Sequence, residues 1–148
     1  MFPNMEAHIA DITRVIQLAV APVFLLTAIG TLIGALNIRL GRVVDRRRVL
    51  HERVRSLDEQ TAKDAKAELA LLARRSRLIY HAIFAAVTAA LLVCLVVASA
   101  FIGALLSVEL ARLVAVLFIL SMCALIICLA IFLREIFVAV TESGQHYR

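Results

Sequence analysis

Three long stretches of this chain carry no charged residue: Val15–Ile38, Ala82–Val108 and Leu113–Leu133, of 24, 27 and 21 residues. A helix rises about 1.5 Å per residue, so each stretch is long enough to cross a hydrocarbon layer of roughly 30 Å. Runs of that length without charge have no ordinary place in a water-soluble domain of 148 residues, and most soluble functions fall away with them. The expectation is an all-α integral membrane protein with three spans, at about 15–38, 82–108 and 113–133, forming one membrane domain over residues 1–148.

Charge is concentrated between the first two spans. From Arg39 to Arg77 there are 12 Lys/Arg and 6 Asp/Glu, a local balance of +6 against +5 for the whole chain. A short basic segment between spans is held in the cytoplasm by the positive-inside rule. This puts the N-terminus outside and the C-terminus inside. The same distribution argues against nucleic acid as a partner, because no aromatic residue interleaves with the basic ones before Tyr80. The first span is expected to be a retained helix and not a signal peptide, because Glu6 and Asp11 outweigh Arg14 ahead of it and its apolar run is too long.

No Gly or Pro occurs between Arg42 and Ile102, and the run is rich in helix-forming residues. Apolar residues recur at Leu40, Val43, Leu50 and Val54, then at Ala65, Leu69, Leu72 and Ile79, in steps of three, four or seven. Residues 39–81 should therefore form a cytoplasmic helical hairpin that prolongs spans one and two. Two turn sites compete, Ser56–Glu59 and Thr61–Asp64, of which the first matches the capping box better. Ser107 is the expected N-cap of span three, with Glu109 in its first turn.

Mapped at 100° per residue, span one has two faces. Leu18, Leu25, Ile29, Leu32 and Leu36 form a large apolar face suited to lipid tails. Opposite lie Thr13, Gln17, Ala21, Ala28, Thr31 and Ala35, flanked by Thr27, Gly30 and Gly34 and interrupted by Phe24. The small residues, with the Gly30-x-x-x-Gly34 spacing, allow close helix approach. Two uses of this seam stay open. It packs on the small residues of spans two and three of the same chain, or several copies gather it round an axis where Gln17, Thr27 and Thr31 line a path constricted by Phe24. Asp11 would then sit at the outer mouth.

Near the membrane face, Arg39, Arg42, Arg46, Arg74 and Arg75 suit lipid phosphates or ion pairs. Asp45 lies three residues from Arg42 and from Arg48 and is expected to pin the two arms by pairing with Arg74 or Arg75. Glu135 is expected to be solvated beside Arg134. There is no catalytic constellation, no metal-ligand spacing and no phosphate loop, so neither enzyme activity nor a cofactor is expected. The three cysteines, Cys94, Cys123 and Cys128, all lie in apolar spans and read as small packing residues.

The stretch Ala21-Pro22-Val23, the run from Asn37 to Leu50 with its Asn-x-Arg-x-x-Arg-x-x-Asp-Arg-x-Arg pattern, and Arg74-Arg75-x-Arg77-Leu78-Ile79 carry a resemblance. Over roughly residues 9–135 the chain resembles a bacterial family of small three-span membrane proteins of unknown function. The resemblance implies a bacterial inner (cytoplasmic) membrane and three helices, and supplies no functional residue. The function expected from the residues is a homo-oligomeric channel or pore lined by span one; the alternative is a membrane scaffold or regulatory subunit whose basic hairpin docks a partner. The bilayer and further copies of the chain are the expected partners.

Overall fold

Three helices account for nearly the whole described chain: α1 (Pro3–Val54), α2 (Glu59–Leu106) and α3 (Ala111–Ser143). The computed structural model describes the backbone of residues 3–54, 58–106 and 108–143, with the side chains of these except at 3–12, 15, 18, 59 and 141–143. No strand occurs among the described residues. Each helix is long and apolar enough to cross a membrane, as the charge-free stretches predict. Large apolar side chains such as Phe84, Leu91, Ile119, Ile126 and Leu133 are exposed on all three elements. So much exposed apolar surface is untenable in water and normal against lipid tails.

α1 continues without a break from span one into the first arm of the hairpin, and α2 likewise runs from the second arm into span two. α1 ends at Val54 and α2 begins at Glu59, so the second of the two competing sites, Thr61–Asp64, lies inside α2, and the Ala62 amide donates to the Asp58 carbonyl at 2.8 Å as α2 begins. Ser56 lies outside the described residues. At the second turn α2 closes with a six-to-one hydrogen bond, Val108 N–H to Gly103 carbonyl at 3.1 Å, the mark of a Schellman-type end. A Cβ at Gly103 would stand 3.2 Å from the Val108 carbonyl oxygen, which explains a glycine there. α3 starts at Ala111, so Glu109 precedes the helix instead of entering its first turn; Ser107 is outside the described residues.

Burial follows a seven-residue step along every helix. On α1 the buried row is Pro22, Ile29, Leu36 and Val43. On α2 it is Ala65, Leu72, Ile79, Ala86 and Val93, with Ala82, Ala89 and Val96 set three residues on. On α3 it is Ser121, Cys128 and Glu135. A step of seven is the period of coiled-coil packing, in which a narrow seam of each helix meets its neighbours.

This row reverses the expectation for span one. The Leu/Ile face assigned to lipid is the buried one: Ile29 and Leu36 are 1% and 0% exposed, and Leu25 and Leu32 are half-buried. The opposite seam (Gln17, Ala21, Thr27, Ala28, Thr31 and Ala35) is exposed, so it does not pack on spans two and three of the same chain. The small residues Ala82, Ala86 and Ala89 of α2 and Ser121 and Cys128 of α3 are buried, as are Ile29 and Leu36 of α1.

By backbone contacts the chain divides into two compact units. One comprises Met1–Leu32 and Ala86–Leu125, the other Ile33–Ala85 and Ile126–Arg148. In the first, the buried Ser121 hydroxyl donates to the Ala89 carbonyl at 3.1 Å and ties α3 to α2. The second holds the hairpin arms, the last part of α3 and all the cross-helix ion pairs among the described residues.

Candidate functional site

Within the second unit, one carboxylate joins all three helices. Glu135 on α3 is 1% exposed. Its Oε2 accepts from Arg39 Nη1 on α1 at 2.8 Å, and its Oε1 accepts from Arg75 Nη2 on α2 at 3.0 Å. The guanidinium of Arg39 also lies over the Phe132 ring, 5.1 Å from its centroid, one turn earlier on α3. An arginine set on an aromatic face and hydrogen-bonded to a carboxylate is held in direction as well as in charge.

The local sequence explains the placement. Glu135 continues the α3 row seven residues after Cys128, so the helix rotation that buries Ser121 and Cys128 buries the carboxylate too. Arg39 follows Ile38, the last residue of the first charge-free stretch, and Arg75 precedes the second by seven residues. The three charges therefore meet where the apolar parts of the helices end. A carboxylate is costly to bury without charged, hydrogen-bonding partners, and both oxygens here have one.

The expected solvation of Glu135 beside Arg134 is thus overturned: Glu135 is buried and Arg134 is exposed. The pairing expected of Asp45 is overturned as well. Asp45 is exposed and makes no ion pair among the described residues, and the arms are bridged instead by its neighbour Arg46, whose Nε and Nη2 donate to Glu68 Oε1 at 2.9 and 2.6 Å. Rotation of α1 turns Val43 inward and carries Asp45, two residues on, to the outside. Arg48 pairs along its own helix with Glu52 at 3.6 Å, an exposed contact of little weight. Arg42 and Arg74 are exposed.

The seam of α1 is the other candidate. Gln17, Phe24, Thr27, Gly30, Thr31 and Gly34 are all exposed, Phe24 to 72%. A side chain built at Gly30 or Gly34 would meet nothing within 4 Å. The hydroxyls of Thr27 and Thr31 donate back to the Val23 and Thr27 carbonyls at 3.3 and 3.0 Å. Asp11 lies in α1, its side chain outside the described residues. No group of three or more His, Cys, Asp or Glu suited to a metal occurs among the described residues.

Sequence reasoning missed Glu135 as a central group because Arg134 offered a local partner. The signal that finds it is the seven-residue step Ser121, Cys128, Glu135, which places this acid on the inward row of α3.

No curated protein and no solved structure matches this chain. A family model does match, over residues 19–144, and its description is a protein of unknown function, DUF2721; with most of its length so matched, this multi-pass membrane protein belongs to that family.

Proposed function

We propose that the chain is a non-enzymatic membrane protein whose working form is a homo-oligomer, assembled through the small-residue seam of α1. The observation that carries this reading is that the Gly30 and Gly34 face is left uncovered by the chain's own helices while the Leu/Ile face is buried. Lipid tails are as apolar as leucine, so helices associate in a bilayer through close packing, for which a glycine face is suited and a leucine face is not required. Thr27 and Thr31 satisfy their own helix carbonyls, which suits a packed helix contact better than a wet wall. Gln17 has no such internal partner among the described hydrogen bonds, and an amide at that depth favours a polar neighbour, from a second copy or from a water path.

On this reading the basic hairpin faces the cytoplasm of a bacterial inner membrane, with the N-terminus outside, because 12 of the 16 Lys/Arg lie between Arg39 and Arg77. The oligomer then serves either as a pore lined by span one or as a scaffold whose hairpin arms dock a partner. The back-bonded hydroxyls favour the scaffold.

The test is the mass of the intact complex in nanodiscs, for the wild type and for Gly30→Leu with Gly34→Leu. A multiple of the chain mass that collapses to the single chain in the variant supports the proposal. A wild-type mass of one chain removes it. Ion flux through liposomes, with and without Gln17→Leu, then separates pore from scaffold.

A further inference from the structure

We infer that residues around the Glu135 clamp form a collar that binds the phosphate of anionic phospholipids at the hairpin-side boundary of the membrane. The clamp fixes the relative level of the three helices in the second unit, because Arg39, Arg75 and Glu135 touch. Counting outward from those three at about 1.5 Å per residue, Arg42 lies about 4.5 Å toward the hairpin and Arg74 about 1.5 Å. Arg77 lies about 3 Å toward the apolar side, and Arg134 about 1.5 Å. Six arginines therefore share a layer about 8 Å thick, the depth of a headgroup region and not of a whole domain.

The only acid in that layer is Glu135, and both its oxygens are engaged. The next acids along α1 and α2, Asp45 and Glu68, lie about 9 and 10.5 Å from the clamp toward the hairpin; Asp45, three residues from Arg42, makes no ion pair with it, and Glu68 is held by Arg46. Arg42, Arg74, Arg77 and Arg134 are exposed and have no ion pair among the described residues. Four guanidinium groups without counter-charge, one from α1, two from α2 and one from α3, sit where the apolar stretches end. Lipid phosphates of a negatively charged leaflet occupy that level, and guanidinium forks match their geometry. The clamp's role is to remove the one local competitor for these arginines while holding the helices in step. This inference does not depend on self-association through α1.

The experiment uses the full chain, delipidated in detergent and offered equal amounts of phosphatidylglycerol and phosphatidylcholine, with bound lipid read by native mass spectrometry. Each contacting arginine is worth roughly fivefold in preference, so the wild type should retain the anionic lipid by more than about tenfold. Replacing Arg42, Arg74, Arg77 and Arg134 with Gln should bring the ratio near one, and replacing them with Lys should keep most of it. Removing four charges from the arms instead (Arg47, Arg48, Lys63 and Lys66 to Gln) should leave it unchanged. A photoactivatable anionic lipid on the wild type, needing no variant, should cross-link at 39–42, 74–77 and 134. A wild-type ratio near one, an equal loss in the arm variant, cross-links confined to the arms, or displacement of the lipid by millimolar inorganic phosphate would each overturn the inference, the last in favour of a free-anion site.

Discussion

Replacing Glu135 is the sharpest perturbation of this molecule, because one buried carboxylate satisfies two cations from two other helices. Removing one partner of a buried ion pair costs about 3–5 kcal/mol, since the charge left behind keeps its desolvation without its counter-charge. Two features moderate that figure. The Arg39 side chain is 39% exposed and can turn toward water or headgroups, whereas the Arg75 side chain, at 22%, has less freedom. Glu135→Ala should therefore cost about 3 kcal/mol, chiefly through Arg75. Glu135→Gln keeps the shape and one good acceptor, so it should lose about 1.5–3 kcal/mol, the worth of a hydrogen bond between charged groups.

The contrast is Glu68→Gln, whose partner Arg46 is two-thirds exposed and whose loss should cost less than about 1 kcal/mol. Unfolding in mixed detergent micelles, followed by circular dichroism against an increasing fraction of denaturing detergent, gives the comparison. The double change Glu135→Leu with Arg75→Met supplies the decisive arm. If the single change hurts by stranding Arg75, the double should be less destabilised than Glu135→Leu alone. Equal losses for Glu135→Gln and Glu68→Gln, or a double variant worse than the single, would refute the reasoning.

Other consequences are as direct. Leu36→Ala should cost about 2 kcal/mol, the low end for a buried leucine because lipid removes most of the transfer contribution, while Leu91→Ala on the exposed face of α2 should cost under about 0.5 kcal/mol in the same unfolding assay. Gly30→Leu should leave the unfolding midpoint of the monomer unchanged or raised, since nothing stands within 4 Å and leucine is the better helix former. Ser121→Ala should lose about 0.6 kcal/mol, the usual worth of one interhelical hydrogen bond in a bilayer, read as a small fall in the midpoint. Reporter fusions after residue 56 and after residue 143 should both report the cytoplasm, and an exterior signal from either would overturn the proposed sidedness.

Much of the fold could be read from the chain because the decisive signals are long and one-dimensional. A 24-residue stretch without charge, or 61 residues without Gly or Pro, needs no knowledge of neighbours to interpret. What could not be read is which way each helix is turned. In water the larger apolar face goes inside; in lipid no transfer free energy separates the two faces, so Ile29 and Leu36 and the opposite Gly30 and Gly34 were equally eligible for the interior. The packing period decides, and Pro22, Ile29, Leu36 and Val43 keep a step of seven that the 100° projection blurs over this length. The same rotation problem governs the charges. Asp45 has two arginines within reach by spacing alone, and Glu135 has one beside it, yet it is the latter that meets arginines 96 and 60 residues away.

The account rests on lipid as the solvent of the exposed apolar surface, with its boundary at the level of Arg39, Arg75 and Glu135. The direct measurement is a scan of single cysteines in a variant lacking Cys94, Cys123 and Cys128, labelled in proteoliposomes by a water-soluble maleimide and, separately, probed for collisions with a lipid-dissolved quencher. Cysteines at Val20, Phe84, Leu91 and Ile119 should resist the maleimide, and those at Phe84, Leu91 and Ile119 should also meet the quencher, while those at Asp45, Val49 and Ala67 should do the reverse, with the change of maleimide labelling on α1 falling between residues 37 and 43. Rapid maleimide labelling at Phe84 and Ile119, at the rate found at Val49, would contradict it.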